Sequence, residues 1–119
     1  MVNGIPTQGD IIKINLDPKQ GHEQAGYRPY ICLSHQLVSD YANVAVFAPI
    51  SNTARRYPLY VPLSKTRSTG VAMLDQLVTI DYRARQFQFV ETVPDDFLQK
   101  LLSTVILVFQ PNRRTSPQR

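Results

Sequence analysis

The sequence predicts a mainly β protein, a small barrel or half-open roll of short strands closed by one C-terminal helix. Two observations carry that expectation. Over most of the chain, apolar and polar residues alternate in short runs separated by Pro, Gly, Asn and Asp, and past Pro94 the apolar period lengthens from two residues to three and four.

Asp10–Leu16 sets Ile12, Ile14 and Leu16 on one face and Lys13 and Asn15 on the other, as a half-buried strand does. Tyr30–Ser34 is a short apolar run of the buried type. It holds Cys32, the single cysteine, which reads as a small buried hydrophobe and not as a nucleophile or disulfide partner. Gln36–Tyr41 suits a short helical turn, and Asn43–Ile50 alternates Val44, Val46 and Ala48. Tyr57–Leu63 puts Tyr57, Leu59, Val61 and Leu63 against Pro58, Tyr60 and Pro62. Two prolines that cannot donate to a ladder predict an edge or bulged strand. Gly70–Ile80 is a β-rich run interrupted by Asp75-Gln76, and Phe87–Val93 is a further strand. From Pro94, the residues Phe97, Leu98, Leu101, Leu102, Val105, Ile106 and Phe109 recur at helical spacing. Pro94 suits the first turn, where Asp95 and Asp96 oppose the helix dipole. The expectation is one domain over 1–119, with a core of about 9–110 and a loose polar tail at 111–119.

A chain of 119 residues with 43% apolar and 18% charged residues is globular and fits one core. No apolar run is long enough for a membrane helix, the N-terminus lacks a signal-peptide pattern, and a lone cysteine suits a reducing setting, so a cytoplasmic location is expected. The net charge of +4 is unevenly spread. The tail supplies Arg113, Arg114 and Arg119 without an acid. Positions 55–85 carry Arg55, Arg56, Lys65, Arg67, Arg83 and Arg85 against Asp75 and Asp81 only. That basic middle, rather than the bulk charge, points to an anionic partner.

The long irregular stretch Asp17–Arg28 is the strongest candidate site. Asp17-Pro18 and Arg28-Pro29 pin its ends, and Gly21 and Gly26 allow tight turns. Between them stand His22, Glu23, Gln24, Tyr27 and Arg28. Cleaving RNA through its own 2′-hydroxyl needs a proton acceptor, a cation on the phosphorane oxygens and a donor to the leaving 5′ oxygen. Arg28 suits the cation, because its planar fork matches phosphate and stays charged. Glu23 or His22 could take the proton, and Ser51 could bond the phosphate or relay a proton. Tyr27, Tyr57, Tyr60, Tyr82 and Phe87 offer faces for unpaired bases. The plain alternatives are a loop-stabilising Glu23–Arg28 ion pair, Asp75 as a turn acceptor and solvated arginines. His22 and His35 lie far apart with no Cys, His or Glu cluster at ligand spacing, and no phosphate-binding, dinucleotide or hydrolase-elbow motif is present, so no cofactor is expected.

The ordered set Gly9-Asp10-Ile11, Leu16-Asp17-Pro18, Gly21-His22-Glu23-Gln24 and Gly26-Tyr27-Arg28-Pro29 resembles the opening signature of the MazF/PemK (Kid) toxins, ribosome-independent endoribonucleases of toxin–antitoxin systems. The likeness continues through Ala48-Pro49-Ile50-Ser51, Tyr57-Pro58, Gly70-Val71-Ala72, Asp75-Gln76, Thr79-Ile80-Asp81 and Arg83-Ala84-Arg85 to Val93-Pro94. The resemblance implies an SH3-like β-barrel acting as a homodimer. It also implies metal-independent cleavage of single-stranded mRNA to a 2′,3′-cyclic phosphate and a 5′-hydroxyl, and an antitoxin with an acidic C-terminal segment. It assigns the catalytic arginine to Arg28, the loop acid to Glu23, a branch-specific histidine to His22 and a branch-specific aspartate to Asp75. Ser51 stands where several members carry threonine, and Met73 where PemK-like members carry arginine. Gln24, Tyr27, Gln76, Arg55, Arg56, Arg83 and Arg85 are the expected RNA contacts. A non-catalytic toxin on the same barrel, like the CcdB gyrase poisons, and a simple single-stranded nucleic-acid-binding barrel are the alternative readings.

Overall fold

The structure, a computed structural model, describes residues 4–16 and 26–112. Its strands are β1 (Asp10–Asn15), β2 (Tyr27–Cys32), β3 (Ala45–Ser51), β4 (Tyr60–Pro62), β5 (Val71–Met73), β6 (Val78–Ile80) and β7 (Phe87–Thr92). Helix α1 (Gln36–Ala42) joins β2 to β3, and α2 (Asp95–Val105) runs into a terminal 3-10 turn, Ile106–Phe109. The strands form one antiparallel sheet in the order β4-β5-β3-β2-β1-β7. β6 pairs with the first half of β3 and β5 with its last residues, so β5, a turn and β6 form one broken strand along β3. The predicted mainly β class holds. Among the described residues no ladder joins β4 to β7, so the sheet is a half-open roll and not a closed barrel.

Alternation along the central strands feeds two cores. Ile11, Ile31, Ala48, Ile50, Val61 and Ala72 point to one face, where Phe97, Leu98 and Leu101 of α2 cover them. Ile12, Ile14, Cys32, Ala45 and Phe47 point to the other, where they cluster with Ile80, Tyr82 and Phe87. Burial on both faces is why β3 buries Ala45 and Phe47 as well as Ala48 and Ile50. Of the alternating Val44, Val46 and Ala48, Ala48 is fully buried and the two valines are half-buried. Tyr60–Pro62 is an edge strand, as its prolines require. Helix α2 begins where expected, with Pro94 just before it and Asp95 and Asp96 in its first turn.

β2 differs most from expectation. It begins at Tyr27, so Tyr27, Arg28 and Pro29 belong to a strand and not to the loop. Pro29 faces Lys13 of β1, and the ladder to β3 stops at the pair Tyr30–Pro49. Prolines near the end of that ladder disguise the strand in the sequence, because each removes a donor.

Two anchors fix the periphery. The buried Asp10 carboxylate accepts from the Thr7 amide and hydroxyl at 2.9 Å each and from the Thr92 hydroxyl at 2.8 Å. Beside it, the Gly9 amide donates to the Cys32 carbonyl and the Gly9 carbonyl accepts from the Val93 amide, with Gly9 at φ 95°. The Gly9-Asp10 pair thus ties the chain entering β1 to β2 and β7. The loop between β4 and β5 is held by Glu91, which accepts from the Arg67 amide, the Ser68 amide and the Ser68 hydroxyl, and by a surface pair between Lys65 and Asp96 at 2.8 Å.

Replacing Asp10 by Ala leaves the Thr7 and Thr92 donors without their charged acceptor, and should lower stability by about 2 kcal/mol in urea unfolding. Burial alone would raise the Glu91 carboxyl, but the Ser68 hydroxyl and the Arg67 and Ser68 amides together hold it below its ordinary value. A carboxylate lowered on folding stabilises above its unfolded value and loses that contribution as pH falls through its folded one. The Arg67 and Ser68 amide resonances should therefore titrate with a midpoint below that of a free glutamate, and Glu91→Gln should abolish the titration.

Candidate nucleic-acid interface

Directly opposed residues of an antiparallel sheet share a face, and so do residues two apart along a strand. Tyr60 faces Met73, Pro49 faces Tyr30, and Tyr30 faces Ile12, which sets these side chains on one face. Two residues along the strands, Pro62 faces Val71, Val71 faces Ser51, and Arg28 faces Ile14 on the same face. Arg28 and Ser51 each stand two residues past the last β2–β3 pair, on its face. This is the face of the smaller core, which includes Ile80, Tyr82 and Phe87. On it Arg28 and Pro62 are exposed and Tyr30, Pro49, Ser51, Tyr60, Val71 and Met73 are half-buried.

Arg28 is exposed, and its Nη1 donates to the Tyr27 carbonyl at 3.4 Å. Its charge reaches Tyr30: burial pushes the Tyr30 hydroxyl up, and the Arg28 guanidinium draws it partly back. Ser51 Oγ accepts from the Thr53 amide at 3.1 Å and shares a hydrogen with the Thr53 hydroxyl at 3.3 Å. The Thr69 hydroxyl donates to the Asn52 side-chain carbonyl at 3.1 Å, which joins the turn after Ser51 to the loop before β5. Gly70, at φ 119°, lets that loop approach: a Cβ there would stand 2.9 Å from the Ser51 carbonyl oxygen.

Asp75 and Gln76 sit in the turn between β5 and β6, both exposed. No contact joins Asp75 to Arg28 or Ser51 among those seen in the described residues. The Gln76 Nε2 donates to the Tyr60 hydroxyl at 2.8 Å, the Tyr57 and Tyr60 rings meet at 4.8 Å and 81°, and the Arg55 guanidinium lies 5.3 Å from the Tyr57 ring centre. Arg56 is exposed beside them. At the other end, Arg85 Nη1 donates to the Asn15 carbonyl at 2.7 Å, next to the Asn15–Tyr27 pair. Exposed Arg83 lies in the turn that Asp81 caps through the Arg83 amide. His22, Glu23 and Gln24 lie outside the described residues.

Tyr82 and Phe87 are core residues, 3% and 7% exposed, and present no face for stacking. Tyr30, half-buried on the face of Arg28, was not singled out from the sequence because its apolar run reads as buried. Its place two residues from Arg28 in a strand was the available signal. The turns expected between Gly21 and Gly26 lie outside the described residues, but a Cβ on Gly26 would collide with the side-chain amide of buried Asn15. Burial pushes the Cys32 thiol up, as suits an inert core cysteine.

The model of the PemK-like, MazF-like toxins of type II toxin–antitoxin systems matches residues 7–109. The chain belongs to that family. It is 34% identical over 101 residues to the endoribonuclease toxin MazF of Escherichia coli strain K12, covering 85% of this chain and 91% of that one. It is also 34% identical over 100 residues to the endoribonuclease PemK of Escherichia coli, covering 80% and 75%. A crystal structure of MazF from Deinococcus radiodurans superposes with a TM-score of 0.73 at 26% identity, over 90% of this chain and 98% of that one. A crystal structure of MazE–MazF from the same organism gives 0.76 at 23% identity, over 89% and 97%, a likeness of fold. The MazF/PemK resemblance read from the motifs is therefore established, and the family's named members are enzymes that cut RNA.

In this MazF/PemK chain, Gly26 enters the strand that carries Arg28. Gly26→Ala must displace the Asn15 amide and with it the start of β2. We expect a lower thermal midpoint together with a loss of RNA cleavage larger than the stability change alone gives. Wild-type stability and cleavage in this variant would contradict the close approach.

Proposed function

We propose that the chain is a metal-independent endoribonuclease toxin that cuts single-stranded RNA on the open half of the sheet. The single observation that supports this reading is the strand alternation that puts Arg28 and Ser51 on the same face, each two residues beyond the Tyr30–Pro49 pair. The 2′ oxygen attacks the adjacent phosphorus and the bond from phosphorus to the 5′ oxygen breaks, giving a 2′,3′-cyclic phosphate and a 5′-hydroxyl. The 2′ proton passes to Glu23 or His22, and the leaving oxygen gains a proton in return. Arg28 neutralises the phosphorane oxygens with a permanently charged fork, and the Ser51 hydroxyl donates to one of them. Asp75, exposed in the turn after β5, is the remaining carboxylate of the assigned set. Tyr27, Gln24, Arg55, Arg56, Gln76, Arg83 and Arg85 hold the flanking nucleotides.

The family supplies the rest of the reading. The chain acts as a homodimer in the cytoplasm, as one domain with a polar tail at 111–119, and a cognate antitoxin with an acidic segment neutralises it. Among the described residues, no helix is long and apolar enough to cross a membrane. A gyrase poison or a mere RNA binder would need no arginine and hydroxyl side by side on one face.

Purified protein incubated with a long single-stranded RNA in EDTA should produce cuts bearing cyclic or 3′-phosphate and 5′-hydroxyl ends. Arg28→Ala should slow cutting several hundred-fold or more, since a lost charged donor to the transition state costs about 3–4 kcal/mol. Ser51→Ala should show a clear but smaller loss. Uncut RNA with clean binding would leave the binding barrel as the better reading, and full activity in Arg28→Ala would remove that residue from the chemistry.

A further inference from the structure

We propose that Glu91 is a positioning residue for the cut: it clamps the segment Ser68, Thr69 and Gly70 against the turn after Ser51, and so holds the Ser51 hydroxyl at the scissile phosphate. This role rests on the reading of the chain as an RNA-cutting enzyme. The observation behind it is that three consecutive residues make three fixed contacts. Ser68 donates its amide and hydroxyl to Glu91 at 2.7 and 2.6 Å, and the Thr69 hydroxyl donates to Asn52 at 3.1 Å. Gly70 lies so close to the Ser51 carbonyl that a Cβ would stand 2.9 Å from its oxygen.

A β-bulge aims Glu91 at this segment. Phe89 faces Ile12 and Glu91 faces Ile11, so Val90 is an extra residue between two neighbouring pairs. Strict alternation would put Glu91 on the face of Phe89. The bulge turns it instead to the face of Ile11, which belongs to the core under α2. Arg28 faces Ile14 on the opposite side of the sheet. Glu91 therefore acts on the phosphate only through other residues.

A carboxylate only accepts, and the loop offers it only donors. The Arg67 amide bonds Oε1, and the Ser68 amide and hydroxyl bond Oε2. Among the described residues no ladder joins β4 to β7, so this side chain bridges the two edges of the sheet where backbone pairing does not. The neighbouring Lys65–Asp96 pair joins two exposed side chains and holds the loop weakly. A held turn matters to Ser51 because its Oγ accepts the Thr53 amide at 3.1 Å, so the turn sets where the hydroxyl lies. A donor to a developing charge works when it is fixed beforehand, and a displacement of about 1 Å can cost about a hundred-fold.

The test measures kcat and KM on a short RNA, below the melting transition of every variant. Glu91→Ala and Thr69→Val are made alone, together, and each in combination with Ser51→Ala. Glu91→Ala should lower kcat about ten-fold or more and change KM less than about two-fold, with Thr69→Val smaller in the same direction. The pair together should be no slower than Glu91→Ala, and without the Ser51 hydroxyl Glu91→Ala should cost less than about two-fold. Where Glu91→Ala does not fold, exposed Thr69→Val with and without Ser51→Ala gives the same comparison. Hydrogen exchange of the Thr53 amide needs no substrate, and should be about ten-fold faster or more in Glu91→Ala and faster in Thr69→Val. Unchanged kcat in both single variants, or an equal loss with and without the Ser51 hydroxyl, overturns the positioning role and leaves the nuclease reading intact. Faster Thr53 exchange in the variants of a protein that cuts no RNA would keep the clamp and remove the nuclease reading. Unchanged Thr53 exchange overturns the clamp itself.

Discussion

The register of β2 on β3 is the constraint on which the rest of the molecule depends. Tyr30 faces Pro49, Ile31 faces Ala48 and Cys32 faces Phe47. Because strand side chains alternate, a slip of one residue would carry Ile31 out of the core beneath α2 and turn Arg28 into it. The fully buried Ile31, Ala48 and Phe47 make that slip costly, since a buried unpaired charge has no compensating partner there. Hydrophobic burial on two faces thereby fixes where a single cation stands relative to a single hydroxyl.

The same geometry explains why the open face lies where it does. α2 covers one side of the sheet with Phe97, Leu98 and Leu101, while on the other side Ile80, Tyr82 and Phe87 join the smaller core. Among the described residues, the less buried part of that side begins at the pair Tyr30–Pro49, where the β2–β3 ladder ends. The β2–β3 ladder stops there, at two prolines that lack donors, while Arg28 stays paired with Ile14 of β1 and Ser51 with Val71 of β5. The turn after Ser51 is held in place by the Thr69–Asn52 bond and by the close approach that Gly70 permits. The loop supplying Thr69 is itself fastened through Ser68 to Glu91 on β7. Residues far apart in the chain thus hold one short turn beside the proposed phosphate site.

Much of this was legible in the sequence, for physical reasons. β1 and β7 were legible as strands and α2 as a helix, although Asn15 is buried and Phe89 exposed, and the prolines of Tyr57–Leu63 correctly marked an edge. β3 misled because both its faces are covered, which erases the alternation that would show which side is inward. β2 misled because Arg28-Pro29 looks like loop punctuation, although a proline at the end of a ladder is compatible with a strand. The site was legible as chemistry at Arg28, Ser51 and Gln76. The partners of Gln76 were not, because the Tyr60 contact joins segments that only the broken β5–β6 strand brings together. Tyr82 and Phe87 show the converse: aromatic residues near basic ones were consumed by the smaller core.

The most direct measurement is an NMR titration of the protein with a 2′-O-methyl single-stranded RNA that it cannot cut. Shift changes should concentrate on Arg28, Tyr30, Ser51, Tyr60, Met73 and Gln76, across four strands of one face. Changes concentrated instead on α2 and the face it covers, with this row of residues silent, would contradict the placement of the RNA surface.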